Sequence, residues 1–311
     1  MVDAVITWVD GCDKDHQRKR FLWADKESPK RGEKSTARLA TRWRSVFEIF
    51  YCIHLIRKNA PWIDRIYLVT DNQRPSWLTE AMQKRLDVNL VDHQTIFSGN
   101  EWALPTFNST AIETMLHRIP DLSERYLYFN DDIFLIRRIS EKDYFSGDKP
   151  KWRGWRRGIN TQGLRYVVRW VATGIKKDGF IGGRQEKEIL GIPHLFSLGH
   201  APQPFVKSYA RQVIEKDNRL ESNISHRFRA WDGFTPATLV ANAGITEGRA
   251  LKGADDWESI EPKHGAQGIQ KRMLICKRNK NIKTVCLQSI DMMPNVMQKE
   301  SESFLREFLE V

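Results

Sequence analysis

Strand-like and helix-like runs alternate four times over residues 2–130. That alternation restricts the chain to an α/β architecture, a mostly parallel sheet with helices on its faces. Residues 2–9 are rich in β-branched side chains and break at Asp10-Gly11, which reads as a buried strand ending in a turn. From Val46, apolar residues recur at Ile49, Phe50, Ile53 and Ile56, the helical period. Pro61 closes that helix, because the residue before a proline is pushed out of the α region. Residues 65–70 (RIYLVT) and 88–91 read as strands around a short helix over 75–86. Residues 105–118 read as helical, with Ile112, Met115, Leu116 and Ile119 on one stripe. A fourth strand, 125–130 (RYLYFN), stops at Asp131-Asp132. Ligands of such sheets bind beyond the carboxyl ends of the strands, so Asp10, Asp131 and Asp132 are expected on one rim.

Beyond this alternation the pattern loosens. Residues 149–187 carry eleven basic residues against Asp178 and Glu186, with several glycines and tryptophans and little periodicity. A helix is expected over 202–220, a short one over 236–242, loop over 248–268, a strand over 284–287 and a terminal amphipathic helix over 301–309. Three segments follow: an α/β half over 1–148, an irregular basic insertion over 149–187 and a second half over 188–311.

The chain has 311 residues, 50 Lys and Arg against 39 Asp and Glu, and a net charge of +11. It is long enough to bury a core without staples. The basic excess predicts polyanionic company: nucleic acid, an anionic membrane surface or phosphate-bearing substrates. Cys12, Cys52, Cys276 and Cys286 form no CxxC pair, so neither a zinc site nor a disulfide framework is expected, and a reducing compartment fits. No basic segment precedes an apolar stretch at the start, and the longest apolar stretch, 46–56, is too short to span a bilayer. The expectation is a cytoplasmic protein, soluble or peripheral at the inner face of the cell membrane through its basic segments.

Asp131 and Asp132 are adjacent carboxylates after an apolar strand. Such a pair is costly unless solvated or neutralised, and a hard divalent cation neutralises it well. A strand-ending turn is the competing reading, and Asp3 and Asp10 divide in the same way between ligand and turn acid. His200, in Gly199-His200-Ala201-Pro202, is either a structural histidine or a base. Arg229 either grips a phosphate with its fork or pairs with Asp232. No GxxxxGK[ST], GxGxxG after a strand, GxSxG or HExxH occurs, which removes the usual signals of nucleotide hydrolysis, dinucleotide redox chemistry, serine hydrolysis and zinc proteolysis.

The same residues carry a family resemblance. Residues 3–11 (DAVITWVDG) resemble the first conserved region of the Stealth family, which contains capsular polysaccharide hexose-1-phosphate transferases and N-acetylglucosamine-1-phosphotransferase. KNAPWI (58–63), IYLVTD (66–71) and PSWL (75–78) continue the match. LPTFNS (104–109), AIE (111–113), HRI (117–119) and YFNDD (128–132) resemble its second region. His200-Ala201-Pro202 with Phe228-Arg229 resemble the third, and Val285-Cys286-Leu287 the fourth. The chain departs from the pattern over 45–56, where it keeps Glu48 and Tyr51 but loses the family's arginines. Cys12 stands where serine is common, and Gln288-Ser289 where Asn-Asp is usual.

The resemblance implies a sheet like that of glycosyltransferase A nucleotide-sugar folds. It also implies transfer of a hexose-1-phosphate from a nucleotide sugar, UDP-linked, to a hydroxyl of a surface or capsular polysaccharide, with release of nucleoside monophosphate. Asp131 and Asp132 would hold Mg²⁺ or Mn²⁺, His200 would take the acceptor proton, Arg229 would bind the transferring phosphoryl group, and Asp3 would support the metal or the base. Trp8, Asp10, Gly11, Thr106, Asn108, Ser109 and Asn130 would line the substrate. The basic excess itself, not the resemblance, leads to the expectation that 149–187, with Arg153, Arg156 and Arg157, and 271–283 line an acceptor groove or a membrane-facing surface. The alternatives are a metal-dependent glycosyltransferase releasing nucleoside diphosphate and a basic nucleic-acid-binding protein; on the Stealth reading no nucleic acid is expected.

Overall fold

Alternate residues of the central strands enter opposite cores, and this explains why most interior positions of these strands are apolar. The computed structural model describes residues 1–26, 46–156, 184–230 and 232–310. Strands β1 (Val2–Thr7), β2 (Ile66–Thr70), β3 (Val88–Asp92) and β4 (Arg125–Asn130) are parallel neighbours in the order β4-β1-β2-β3. Ala4, Ile6, Leu68, Leu127 and Phe129 face one core, and Val5, Tyr67, Val69, Tyr126 and Tyr128 the other. The mixed α/β fold with a mostly parallel central sheet is the expected one.

Helices α1 (Lys14–Lys26), α2 (Glu48–Asn59), α3 (Glu80–Leu86), α4 (His93–Ile96) and α5 (Ser109–Met115) connect these strands. A short strand β5 (Ile133–Leu135), helix α6 (Glu141–Tyr144) and strands β6 (Phe145–Ser146), β7 (Lys149–Trp152) and β8 (Gly154–Arg156) follow. After the residues left undescribed come α7 (Arg184–Leu190), β9 (Phe196–Leu198), β10 (Gln203–Val206), α8 (Lys207–Ile214), α9 (Arg219–Ile224) and α10 (Pro236–Thr246). The chain ends with β11 (Leu251–Lys252), β12 (Trp257–Ile260), α11 (Gly265–Arg278), β13 (Thr284–Leu287) and α12 (Asn295–Glu310). Helices α2, α11 and α12 contribute to one core, and α5, α8 and α10 to the other.

Several boundaries differ from expectation for local reasons. The helix expected from 75 starts only at Glu80, where the Thr79 side chain accepts the Met82 amide. The one expected from 105 starts at Ser109, where Asn108 accepts the Thr110 amide. Residues 203–206, expected in a helix, are instead the edge strand β10, antiparallel to β4. Pro204 is tolerated because the strand is an edge. The helix beyond it breaks at Asp217 and Asn218, with φ of 55° and 59°. The loop expected over 248–268 contains β11, β12 and the start of α11.

Strand β13 pairs antiparallel with β5 and parallel with β12, as β10 pairs with β4, so the later half of the chain completes sheets begun by the earlier half. Of the basic insertion, 157–183 lie outside the described residues, and with them Arg157. Arg153 does not line a groove: it is 2% exposed, bonds both oxygens of Asp256 at 2.7 and 2.9 Å, and lies 3.6 Å over the Tyr144 ring.

Candidate active site

The carboxyl ends of β1, β2, β3 and β4 form one edge, and the polar groups gather there. Asp131 and Asp132 follow β4 directly and are partly exposed. Burial, then the charge of Asp132, then that of Glu48 push the Asp131 carboxyl well above the usual carboxylate range. Burial, with Glu48 adding, raises Asp132 to about 7, while a hydrogen bond from the Cys286 thiol opposes the rise. Glu48 is itself 5% exposed and accepts the Phe47 amide at 2.8 Å. The Oδ1 atom of Asp132 is buried with no hydrogen-bond partner.

Arg229 arrives from a different part of the chain, and its placement is built in. The Phe107 amide donates to the Arg227 carbonyl at 2.8 Å, the Asn108 side-chain amide donates to the His226 carbonyl at 3.0 Å, and Phe107 stacks on Phe228 at 5.3 Å. These contacts hold Arg229 against α5, where its guanidinium donates to the Ser109 hydroxyl. Glu113 lies one turn further along the same helix face. Burial raises its carboxyl to about 7, against the pull of Arg229 and of a hydrogen bond from Tyr128. The Tyr128 hydroxyl also meets Thr7 Oγ1 at 2.9 Å and Asn130 Oδ1 at 2.8 Å, which joins this cluster to the end of β4. Asp232 pairs with His226 at 3.3 Å.

His200 reaches the rim from the other side. Its imidazole nitrogens lie 3.1 and 3.3 Å from the side-chain nitrogen of Gln288, the residue after β13. One residue earlier, the Leu287 amide donates to the Asp132 carbonyl at 3.0 Å. His200 is exposed, yet crowding by protein atoms lowers its pKa, with Glu261 opposing and Lys263 adding. The helix start expected after His200 is the strand β10, so this crowding, and not a helix terminus, favours the neutral ring.

The remaining expected residues divide. Trp8 is 7% exposed at the end of β1, with a buried, unpartnered Nε1. The Asp10 carboxylate accepts the Cys12 amide at 2.8 Å, closing the turn at buried Gly11. Thr106 and Asn108 are 3% and 2% exposed and serve the cap of α5. Asp3 stands apart. It is fully buried near the amino end of β1, opposite Tyr126, whereas Thr7 is opposite Asn130. That is about 13 Å of strand from the rim. Its oxygens accept the Arg65 amide, Nε and Nη2 at 3.2, 3.3 and 3.1 Å and the Ser123 amide at 2.8 Å. Asp3→Ala leaves the Arg65 and Ser123 amides and Arg65 Nε without this acceptor, while Arg65 Nη2 keeps the Asp121 carbonyl, and is expected to cost about 2–4 kcal/mol of stability. Urea unfolding reads that loss, while kcat per folded molecule stays within about twofold of wild type; a collapse of kcat with unchanged stability would return Asp3 to the chemistry.

Sequence reasoning assigned no role to Glu113, seen only within a matched motif, or to Gln288, seen only as a departure from the family pattern, and it did not show a further rim cluster. His16, 2% exposed, meets Asp71 at 3.1 Å at the end of β2, and Lys19 bonds the same carboxylate at 3.1 Å. Together they hold the Asp71 carboxyl well below the usual range even though burial pushes it upward. Asp71 follows an apolar strand just as Asp131 does, a signal that could have found it. The spacing of Ser109 and Glu113 could likewise have paired them on one helix face.

Residues 42–152 match the family described as Stealth protein CR2, conserved region 2. The capsular polysaccharide phosphotransferase cps1A of Actinobacillus pleuropneumoniae is 40% identical over 147 residues, 47% of this chain and 39% of that protein. The exopolysaccharide phosphotransferase SCO6023 of Streptomyces coelicolor is 42% identical over 256 residues, 80% of this chain and 41% of that protein. The chain thus spans about two fifths of the length of the first curated relatives it matches. The receptor polysaccharide phosphotransferase WefC of Streptococcus gordonii is 33% identical over 262 residues, 74% of this chain and 73% of that protein. Among solved structures, the galactosyltransferase LgtC with donor and acceptor sugar analogs aligns over 99% of this chain and 95% of its own, at 11% identity and a TM-score of 0.46. With one conserved region matched and WefC similar over about three quarters of both proteins, the chain belongs to the Stealth family.

Proposed function

We propose that this protein transfers a sugar-1-phosphate from a nucleotide sugar, UDP-linked, to a hydroxyl of a surface polysaccharide, working beside the inner face of the cell membrane. The observation that carries this reading is a guanidinium and an acid pair on one sheet edge, each held there by other parts of the fold. Arg229 offers a fork for a phosphoryl group, and Asp131 and Asp132 offer hard oxygen ligands. The names of cps1A, SCO6023 and WefC support the same chemistry.

The acid pair suits a divalent cation, Mg²⁺ or Mn²⁺. Asp132 Oδ1 is buried without a partner, and burial together with Glu48 pushes both carboxyls toward protonation, Asp132 adding to the effect at Asp131. Among the described residues no group of three or more His, Cys, Asp or Glu forms a protein-only cage, which suits an ion that keeps waters and binds substrate phosphates. When bound, such an ion supplies charge neutralisation to the diphosphate. The chain's own groups do the rest. The acceptor oxygen forms a bond to the β-phosphorus as the bond to the nucleoside monophosphate breaks, and that leaving group takes the electron pair. His200, neutral near pH 7, takes the hydroxyl proton. Arg229, set by Ser109 and Glu113, meets the negative charge on the transferring phosphoryl oxygens. Positioning and charge therefore supply most of the catalysis.

The test is the released nucleotide. Incubation with UDP-sugars, an acceptor polysaccharide and Mg²⁺ should release UMP; release of UDP would establish glycosyl transfer instead, and no release from any nucleotide sugar would refute both.

The raised carboxyls also set a pH dependence. Asp131, Asp132 and Glu113 bind protons in the folded chain at pH values where the unfolded chain has released them. Between about pH 4 and 7 the folded state therefore holds more protons, and stability falls as pH rises through that window. Without divalent ions, the fall should be on the order of 2 kcal/mol after discounting for water around partly exposed groups. Thermal melts in EDTA should show it, and added Mg²⁺ should stabilise more at pH 7.5 than at pH 5. A metal-free melting temperature that rises over this window contradicts the site's electrostatics.

A further inference from the structure

Helix α11 buries Ile269, Met273 and Cys276 and turns its opposite side to water. On that side Lys271, Leu274, Ile275 and Arg278 follow the spacing i, i+3, i+4, i+7 and form one stripe. Leu274 and Ile275 are 44% and 38% exposed, large aliphatic side chains where a solvated helix face has no use for them. Lys271, Arg278 and Lys280 beside them are exposed, and none of the ion pairs found among the described residues engages these three. The nearby acids are taken on the flanks: Glu258 by Arg272, Glu300 by Gln270 and Glu307 by Lys277. The stripe therefore combines aliphatic surface with positive charge alone.

We infer that this face of α11 docks on an anionic lipid surface. A bilayer interface takes both features at once. Leu274 and Ile275 enter the boundary between headgroups and acyl chains, while Lys271, Arg278 and Lys280 lie along their own stems and keep their charges among lipid phosphates. A polyanionic glycan would use the cations and leave the aliphatic pair in water. A second copy related by a two-fold axis would set the same cations against each other. The position fits a surface enzyme. Helix α11 begins just beyond Glu261 and Lys263, whose charges act on His200. Lys271 lies about 10 Å along the helix from its start. Three cations and two aliphatic side chains make an attachment that is reversible and salt-sensitive. The inference does not depend on the proposed chemistry, and the vesicle binding that decides it is read without turnover.

The full chain is sedimented with vesicles of phosphatidylcholine alone or mixed with phosphatidylglycerol. Wild type should bind only the mixed vesicles and leave them as salt is raised. Lys271→Glu/Arg278→Glu/Lys280→Glu should lower the bound fraction by about tenfold or more. Leu274→Ser/Ile275→Ser should lower it several-fold while leaving elution from a heparin column unchanged. Circular dichroism and release of nucleotide with soluble substrates should match wild type in both variants, since every change is on exposed side chains. Equal binding to neutral vesicles, no binding by wild type, or wild-type binding by either variant overturns the inference. So does a wild-type dimer that Leu274→Ser/Ile275→Ser converts to monomer, which would make the stripe a contact between copies.

Discussion

Asp131→Asn and Asp132→Asn are each expected to lower kcat by roughly 10²- to 10⁴-fold while leaving the fold as stable as wild type or more so. The two halves of that expectation have one cause. Burial and Glu48 disfavour the charged form of both carboxyls, and the charge of Asp132 adds to this at Asp131. An amide of nearly the same shape removes that repulsion, so the metal-free protein gains stability, most of all above pH 7. It also removes the negative charge that would bind a divalent cation, so catalysis is lost. A pair that merely ended a strand in a turn would show neither effect, since asparagine serves a turn equally well. EDTA should abolish wild-type turnover, and Mg²⁺ or Mn²⁺ should restore it. Full activity in excess EDTA, or either variant retaining wild-type kcat, removes the metal role. Glu48 adds a graded control, because it acts on both carboxyls at a distance while its own oxygens also hold backbone amides. Glu48→Gln should shift the pH dependence of metal-free stability without abolishing turnover.

Strands β1, β2 and β4 could be read from the sequence because each is buried on both faces and so appears as a mostly apolar run. Asp131 and Asp132 were legible for the complementary reason, since two acids directly after such a run must end on the rim. Asp3 was not. The reading of residues 2–9 as one strand already puts it at the end away from Asp10, but the role implied for it came from membership of the same motif as Trp8 and Asp10, and its partners Arg65 and Ser123 lie far away in sequence. Residues 203–206 were misjudged because an edge strand containing Pro204 lacks the continuous apolar signature, and its neighbour is fixed only by pairing with residues 125–128. Arg229 shows the limit most clearly. Locally it stands three residues before Asp232, a spacing that suggests a surface pair, yet the fold pairs Asp232 with His226, bonds Arg229 to Ser109 and brings its charge to bear on Glu113. The decisive contacts are the bonds from the Phe107 backbone amide and the Asn108 side-chain amide to the carbonyls of Arg227 and His226, which no local pattern encodes.

His200→Ala is expected to reduce kcat by about 10²- to 10⁴-fold with little change in donor affinity, the usual loss when a positioned general base is removed. The sugar hydroxyl is a poor nucleophile near neutral pH, so its proton needs an acceptor at the rim. His200 satisfies that need in three ways. It is exposed and can meet an acceptor, its lowered pKa keeps the ring neutral, and Gln288 holds it beside the strand whose Leu287 amide grips Asp132. Because the neutral ring is the active form, kcat should rise with pH through a value below the ordinary histidine range and then level off. The variant should lose that acidic limb. Gln288→Ala frees the ring to rotate and should lower kcat less than His200→Ala, with the limb retained. His226, 15% exposed and engaged with Asp232, is the control: its alanine variant should keep both the limb and most of the rate. If His226→Ala is the variant that loses the limb, the proton goes to the other side of the rim, toward Arg229, and Glu113, raised to about 7 beside that guanidinium, becomes the group to replace next.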